Sequence, residues 1–193
     1  MRGDILAATQ RFNACFEWRK SGSNKNYQFL GFLHLIDYIS NLLPDNSKAL
    51  EIGSYMGESA KITAASGIFN EIVCIDPFEG KESFNNIFGY TWEDVEAEFN
   101  NNIKYFDFIN HIKDYSYNVM NNYDDGYFDF AYIDASHEYE DVLRDIKDCI
   151  RVVKKGGIIA GHDYSWDTVK QAVTENFGNN IKQFKDTSWL IIK

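Results

Sequence analysis

The sequence predicts an α/β fold in three layers: a mainly parallel seven-stranded sheet, helices on both faces, and an antiparallel C-terminal hairpin strand. Short β-rich apolar runs alternate with segments of amphipathic helical period, the pattern of repeated βα units. The chain then closes on two apolar runs, 181–184 and 189–192, separated by Lys185-Asp186-Thr187-Ser188, which read as a hairpin. No repeat or linker divides the 193 residues, so residues 1–193 read as one domain, with a helical cap over 1–46 and the α/β core over 47–193.

The first helix is expected from Gln28 to Leu43, where Phe32, Leu35, Ile36, Ile39, Leu42 and Leu43 recur at helical spacing before Pro44. Strand one is Lys48 to Ile52, followed by a glycine turn and a helix carrying Ile62, Ala65 and Phe69 inward. Strand two is Glu71 to Asp76, stopped by Pro77. Residues 78–90, rich in Gly, Asn and Phe without clear period, read as a long binding loop. Thr91 opens the next helix as N-cap with Asp94 completing a capping box, and Trp92, Val95 and Phe99 form its buried stripe.

A third strand falls within 105–112, and a fourth, better marked, runs from Tyr127 to Asp134. The helix from Glu138 to Val153 turns Leu143, Ile146, Ile150 and Val153 inward and pairs Glu140 with Arg144. Gly156-Gly157 ends that unit. The strand Gly157 to Gly161 leads to His162-Asp163, and a helix from about Asp167 buries Val169, Ala172, Val173 and Phe177.

Composition narrows the function. With 29 acidic against 19 basic residues the formal charge is −10, which repels a phosphate backbone and disfavours nucleic acid as partner. No apolar stretch approaches the ~20 residues of a membrane span, and no signal peptide is evident at Met1-Arg2-Gly3-Asp4. Cys15, Cys74 and Cys149 are odd in number and lack C-x-x-C spacing, so free thiols in a reducing, cytoplasmic setting are expected. Association into a homo-oligomer stays open.

In an open α/β sheet the ligand crevice lies at the carboxyl ends of the strands. There the first loop reads Glu51-Ile52-Gly53-Ser54-Tyr55-Met56-Gly57, without the dense glycines that a pyrophosphate demands. A carboxylate at the strand end repels phosphate and suits a ligand carrying an ammonium or sulfonium cation. Asp76, at the end of strand two, can accept from both hydroxyls of a ribose. The bland alternative is a tight turn with two solvated acids. Farther along the sheet, Asp134 and His162-Asp163 end neighbouring strands roughly 5 Å apart. Two carboxylates and an imidazole suit Mg²⁺, Mn²⁺ or another divalent cation, unless Asp163 merely caps a turn and His162 is a rim residue.

The segments "ALEIGSYMGES" and "CIDPFEG", with "YIDASHEYEDVLRDI" and "GGIIAGHDYSW" after them, resemble class I S-adenosylmethionine (SAM) methyltransferases. The nearest branch is that of catechol-type and small metal-dependent O-methyltransferases, including a bacterial subgroup with I-D-x-x-H-x-Y and G-H-D-Y motifs. The resemblance spans about 49–178 and implies a Rossmann-like sandwich and SAM-dependent methylation of a hydroxyl on a sugar, polyol or natural-product-like small molecule.

By this resemblance Glu51, Gly53, Ser54, Tyr55, Gly57 and Ser59 would hold the methionine end of SAM, Asp76 the ribose, and Ser116 the adenine edge. Asp134 would border the cofactor and, with His162 and Asp163, bind the divalent metal. His137 stands where catechol-type enzymes carry a lysine base, and its ordinary pKa near 6.5 suits proton transfer. Asp134 and His137 are therefore the catalytic candidates. Ser116 could instead be a helix N-cap, and His137 a first-turn residue behind a Ser136 cap. An NAD-type oxidoreductase on the same βαβ unit, or a non-catalytic SAM-binding protein, are the alternatives. His34 and His111 read as structural, and Phe78, Phe84, Phe88, Tyr90 and Trp92 as core or pocket roof.

Overall fold

The structure, a computed structural model, describes residues 25–80 and 89–193, with side chains from Gly31 onward. Expectations for residues 1–24, including Cys15, and for Phe84 and Phe88 lie outside the described residues. Helix α1 (Lys25–Ser40) precedes β1 (Ser47–Ile52), α2 (Glu58–Ala65), β2 (Phe69–Ile75), α3 (Trp92–Ile103) and β3 (Ile109–Ile112). After these come α4 (Ser116–Val119), a 3₁₀ turn at Met120–Asn122, β4 (Phe128–Ile133), α5 (Tyr139–Val152), β5 (Val153–Gly161), α6 (Asp167–Phe177), β6 (Lys182–Gln183) and β7 (Trp189–Ile192).

The sheet order is β3-β2-β1-β4-β5-β7-β6. Strands β1 to β5 pair in parallel, and β7 runs antiparallel to both β5 and β6. The direction of the chain outward along the sheet reverses between β1 and β4, so the carboxyl ends of these central strands open the crevice where α/β folds bind ligands.

Strand alternation sorts the core into two layers. Ala49, Ile72, Cys74, Phe130, Tyr132, Ile158 and Ala160 face α1, α2 and α3, while Leu50, Val73, Ile75, Ala131, Ile133 and Ile159 face α5 and α6. Near-complete burial on both faces explains why these strands read as continuous apolar runs. The capping box at α3 forms as expected: Thr91 Oγ1 accepts from Asp94 N at 3.1 Å, and Asp94 Oδ2 accepts from Thr91 N at 2.9 Å. Val95 and Phe99 are fully buried, and Trp92 is half-buried. Cys74 and Cys149 are buried free thiols. No helix among the described residues is long and apolar enough to cross a membrane.

Several boundaries differ. Helix α1 stops at Ser40, and Leu42 is exposed in the turn beyond it. Phe69 opens β2 instead of closing a helix, because Gly67 breaks α2 at φ +74. The buried face of α5 is Val142, Asp145, Ile146, Cys149 and Val152, one residue round from the predicted stripe, with Leu143 and Ile150 flanking it. Arg144 pairs with Asp141 at 3.2 Å, one turn at i,i+3, where Glu140 was expected. Strand β5 starts at Val153, ahead of the glycines.

Candidate active site

At the carboxyl end of β1 the chain turns sharply at Gly53, whose φ is +84. A Cβ there would lie 2.2 Å from the Asp134 carbonyl oxygen, so only glycine lets the loop pass over the end of β4. Asp76 holds the rest of the loop. Its Oδ2 accepts from the backbone N–H groups of Ser54 at 2.9 Å and Tyr55 at 2.8 Å, and its Oδ1 from Phe78 N at 2.8 Å. This buried carboxylate thus fixes the glycine loop and the exit of β2 together, with acceptor capacity remaining on Oδ1. Tyr55 adopts φ 44 in the turn and packs edge-on to Trp92. Gly57 is the N-cap of α2.

Glu51 is buried on the α1 side of the sheet. Its Oε2 accepts from Ser54 Oγ at 3.2 Å and Cys74 Sγ at 3.4 Å, and Ser59 also hydrogen-bonds the carboxylate. Oε1 has no hydrogen-bond partner. Burial pushes the Glu51 pKa up to about 7, against the opposing pull of these three donors. A cationic ligand group would restore the charge that burial disfavours. Ser116, just beyond the carboxyl end of β3, is the first residue of α4 and gives its hydroxyl to Asp145 Oδ1 at 2.6 Å, and Tyr115 is the N-cap.

The second cluster forms where β4 and β5 end. Asp134 follows Ile133 on the same face as Tyr132, and its backbone N–H donates to Ile52 O. His162 Nδ1 lies 3.7 Å from Asp134 Oδ1 and 3.3 Å from Asp163 Oδ2. Asp163 takes a left-handed turn at φ 56, which swings its carboxylate back to His137 Nε2 at 2.6 Å. The predicted Asp134, His162 and Asp163 each offer a ligand atom within 4.8 Å of the others. Together with Ser136 and His137 they line one small cavity.

His137 sits in the loop before α5, whose N-cap is Glu138, so neither the first-turn placement nor a Ser136 cap holds. Ser136 Oγ instead donates to Asp141 Oδ2 and accepts from Glu138 N. The imidazole is held on two sides and its main chain by a third contact. Asp163 bonds its Nε2, the indole of Trp166 stacks on it at 4.8 Å and 18°, and Thr168 Oγ1 donates to its backbone carbonyl at 2.6 Å.

Charge is concentrated here. The hydrogen bond with Asp163 raises the His137 pKa above its ordinary value, with burial opposing. Burial also opposes charge on His162, but Asp163, Asp134 and Asp186 outweigh it and raise this histidine to about 9. Burial alone would lift the Asp163 carboxyl; the two imidazoles hold it well below the usual range instead. Desolvation pushes Asp134 up to about 6, although 37% of its side chain remains open and solvent screens part of that effect.

Trp166 and Asp186 contact this cluster and carried no marked signal. Trp166 closes the "GHDYSW" segment, where its position on the turn was legible but its stacking partner was not. Asp186 read as an ordinary hairpin turn residue, yet it is 2% exposed. His111 is packed between Phe78 and Phe99, a structural placement as expected.

Residues 50–164, more than half of the chain, match the family model described as a methyltransferase domain. The chain belongs to that methyltransferase family. The match runs from β1 through the His162-Asp163 turn, so it covers both clusters of this methyltransferase and sets the oxidoreductase alternative aside. No curated protein matches the chain in sequence. Its fold is shared with a Corynebacterium glutamicum protein at TM-score 0.61 and 11% identity, over 97% of this chain and 89% of that one. It is likewise shared with an rRNA methylase from Streptococcus thermophilus (TM-score 0.60, 15% identity, 83% and 93% covered). A third is the cofactor-bound Rv0187 protein from MTB (TM-score 0.60, 17% identity, 97% and 88% covered).

Proposed function

We propose that this methyltransferase moves the methyl group of SAM to a hydroxyl oxygen of a small polar molecule, a sugar, polyol or natural-product-like acceptor. The observation that carries this is the His137–Asp163 pair, at 2.6 Å, standing beside the end of β4 over which the glycine loop passes. Buried Glu51 at one end of that crevice would suit a cationic methionine moiety, and the acceptor capacity left on Asp76 Oδ1 would suit a ribose hydroxyl.

The acceptor oxygen attacks the sulfonium methyl carbon, the C–S bond breaks, and S-adenosylhomocysteine leaves. Asp163 accepts the His137 Nε2 proton in a hydrogen bond, which leaves Nδ1 to take the acceptor's proton, and Trp166 keeps the ring from rotating. Asp134, Asp163 and the Nδ1 of His162 fit a divalent cation: two hard oxygens and an imidazole, converging within 4.8 Å. Such a cation would lower the hydroxyl's pKa and fix its direction. The imidazole in the set favours Mn²⁺ or a later transition metal over strict Mg²⁺ dependence.

The net charge of −10 supports a small acceptor over a nucleic acid. The test is release of S-adenosylhomocysteine from SAM in the presence of a panel of sugars, polyols and glycosylated aromatics, with a ribosomal RNA fragment as a separate arm. Turnover with a small hydroxylated molecule is expected. Turnover with the RNA arm alone would overturn the acceptor class, and failure to bind SAM would overturn the reading altogether.

A further inference from the structure

The imidazole of His162 has two sides, and only one belongs to the cluster already described. The ring is 9% exposed and leaves β5 on the face of the sheet that α1 covers. Nδ1 looks toward Asp134 and Asp163. Nε2 looks the opposite way, into the protein, where it has no hydrogen-bond partner. The polar group facing it is Asp186, whose Oδ2 lies 3.9 Å away.

Asp186 belongs to the turn between β6 and β7 and is 2% exposed. Its hydrogen bonds among the described residues come from one neighbour, the N–H of Ser188 at 3.1 Å and its hydroxyl at 2.8 Å. A buried carboxylate has room for about four donors, so acceptor capacity is left over. Helix α1 makes space for it. A Cβ on Gly31 would fall 2.0 Å from Asp186 Cγ and 2.2 Å from Oδ1, so any larger residue would displace the carboxylate. A buried acceptor with spare capacity and a buried orphan donor therefore face each other across a gap about 1 Å longer than a hydrogen bond.

We infer that Asp186 is the positioning residue of His162: its carboxylate accepts the hydrogen bond of Nε2–H, so that when a metal displaces the proton on Nδ1 the lone pair is directed between Asp134 and Asp163. A metal-ligating histidine almost always donates its other ring N–H, which fixes its tautomer and orientation, and a carboxylate is a common acceptor. Gly31 is part of the device, because it lets the carboxylate sit under the ring. The inference rests on the divalent-cation reading of the cluster and goes beyond it by naming what orients the imidazole.

The test uses calorimetric titration of the full chain with Mn²⁺, and ¹⁵N–¹H correlation of the histidine side chains in the diamagnetic Zn²⁺-loaded protein to read the His162 tautomer. Wild type is expected to bind Mn²⁺ and, in the Zn²⁺-loaded form, to hold His162 as the Nε2–H tautomer. Asp186→Ala should weaken Mn²⁺ binding about 10- to 100-fold and mix the tautomers, with SAM affinity retained. Asp186→Asn keeps a carbonyl acceptor and should recover part of both signals, which also guards against Asp186→Ala failing to fold. Loss of Mn²⁺ affinity in His162→Ala with unchanged affinity and tautomer in both Asp186 variants would overturn the positioning role and leave the metal site standing. Absence of Mn²⁺ binding by wild type would overturn the metal reading and this inference together.

Discussion

His137 and Asp163, 26 residues apart in sequence, share a 2.6 Å hydrogen bond because a left-handed turn at Asp163 swings its carboxylate back across the ends of β4 and β5. The bond raises the histidine's pKa, so in the metal-free protein its contribution to stability is complete below about 6.5 and is lost as pH rises through the raised value. Asp163 contributes in the opposite sense: its carboxyl is held low, and that stability is lost as pH falls through the depressed value. In EDTA-treated protein, NMR titration of the His137 ring should show a midpoint above 6.5 that drops in Asp163→Asn. His137→Ala should lower turnover at least about 100-fold with SAM affinity unchanged; a smaller loss would remove it as the base.

Glu51 sets stability against binding. Its carboxyl is raised from 4.5 to about 7, so between those values the folded protein holds a proton that the unfolded chain has lost, and stability falls as pH rises. Glu51→Gln should flatten this slope in urea unfolding curves and make the ligand-free protein more stable at pH 8, by on the order of 1–3 kcal/mol. The same variant should bind SAM more weakly by calorimetry. An unchanged slope would show that the buried carboxyl is not the origin of the pH dependence.

For Asp76 the expected defect begins in the ligand-free protein. Three backbone N–H groups depend on its two oxygens, so Asp76→Ala leaves them without an acceptor and should cost about 1–3 kcal/mol in denaturant unfolding. Hydrogen exchange at Ser54, Tyr55 and Phe78 should accelerate together. Loss of SAM affinity with unchanged exchange would mean that the carboxylate acts on the ligand alone.

The apolar framework and the two clusters were legible because each follows from local pattern. Thr91 and Asp94 announced a capping box three residues apart, and strand ends at Ile52, Ile75, Ile133 and Gly161 placed Asp76, Asp134 and His162 at one edge of the sheet. What escaped was set by long-range contact. The face of α5 rotated because burying Asp145 against Ser116 satisfies both groups, which no periodicity in apolar residues encodes. Asp186 sits in a stretch that reads as a solvated turn until β7 carries it under α1. His137 lies before α5 instead of inside it, because Asp163 and Trp166, distant in sequence, fix its ring.

Gly53→Ala should be the most damaging single substitution in the loop. Alanine would have to hold φ +84 with its Cβ 2.2 Å from the Asp134 carbonyl oxygen. Left-handed strain alone costs about 1–2 kcal/mol, and relief of the overlap must move β1 from β4. A fall in the unfolding midpoint together with loss of SAM binding is expected; wild-type values for both would show that the loop relaxes freely.

That same contact between Gly53 and the Asp134 carbonyl has a consequence for how such an enzyme can change over time. The glycine loop and the end of β4 meet main chain against main chain, so the spacing of these two strand ends does not depend on the side chains around them. Substitutions in the walls of the crevice can therefore change its lining while the spacing of the loop and the strand end is kept.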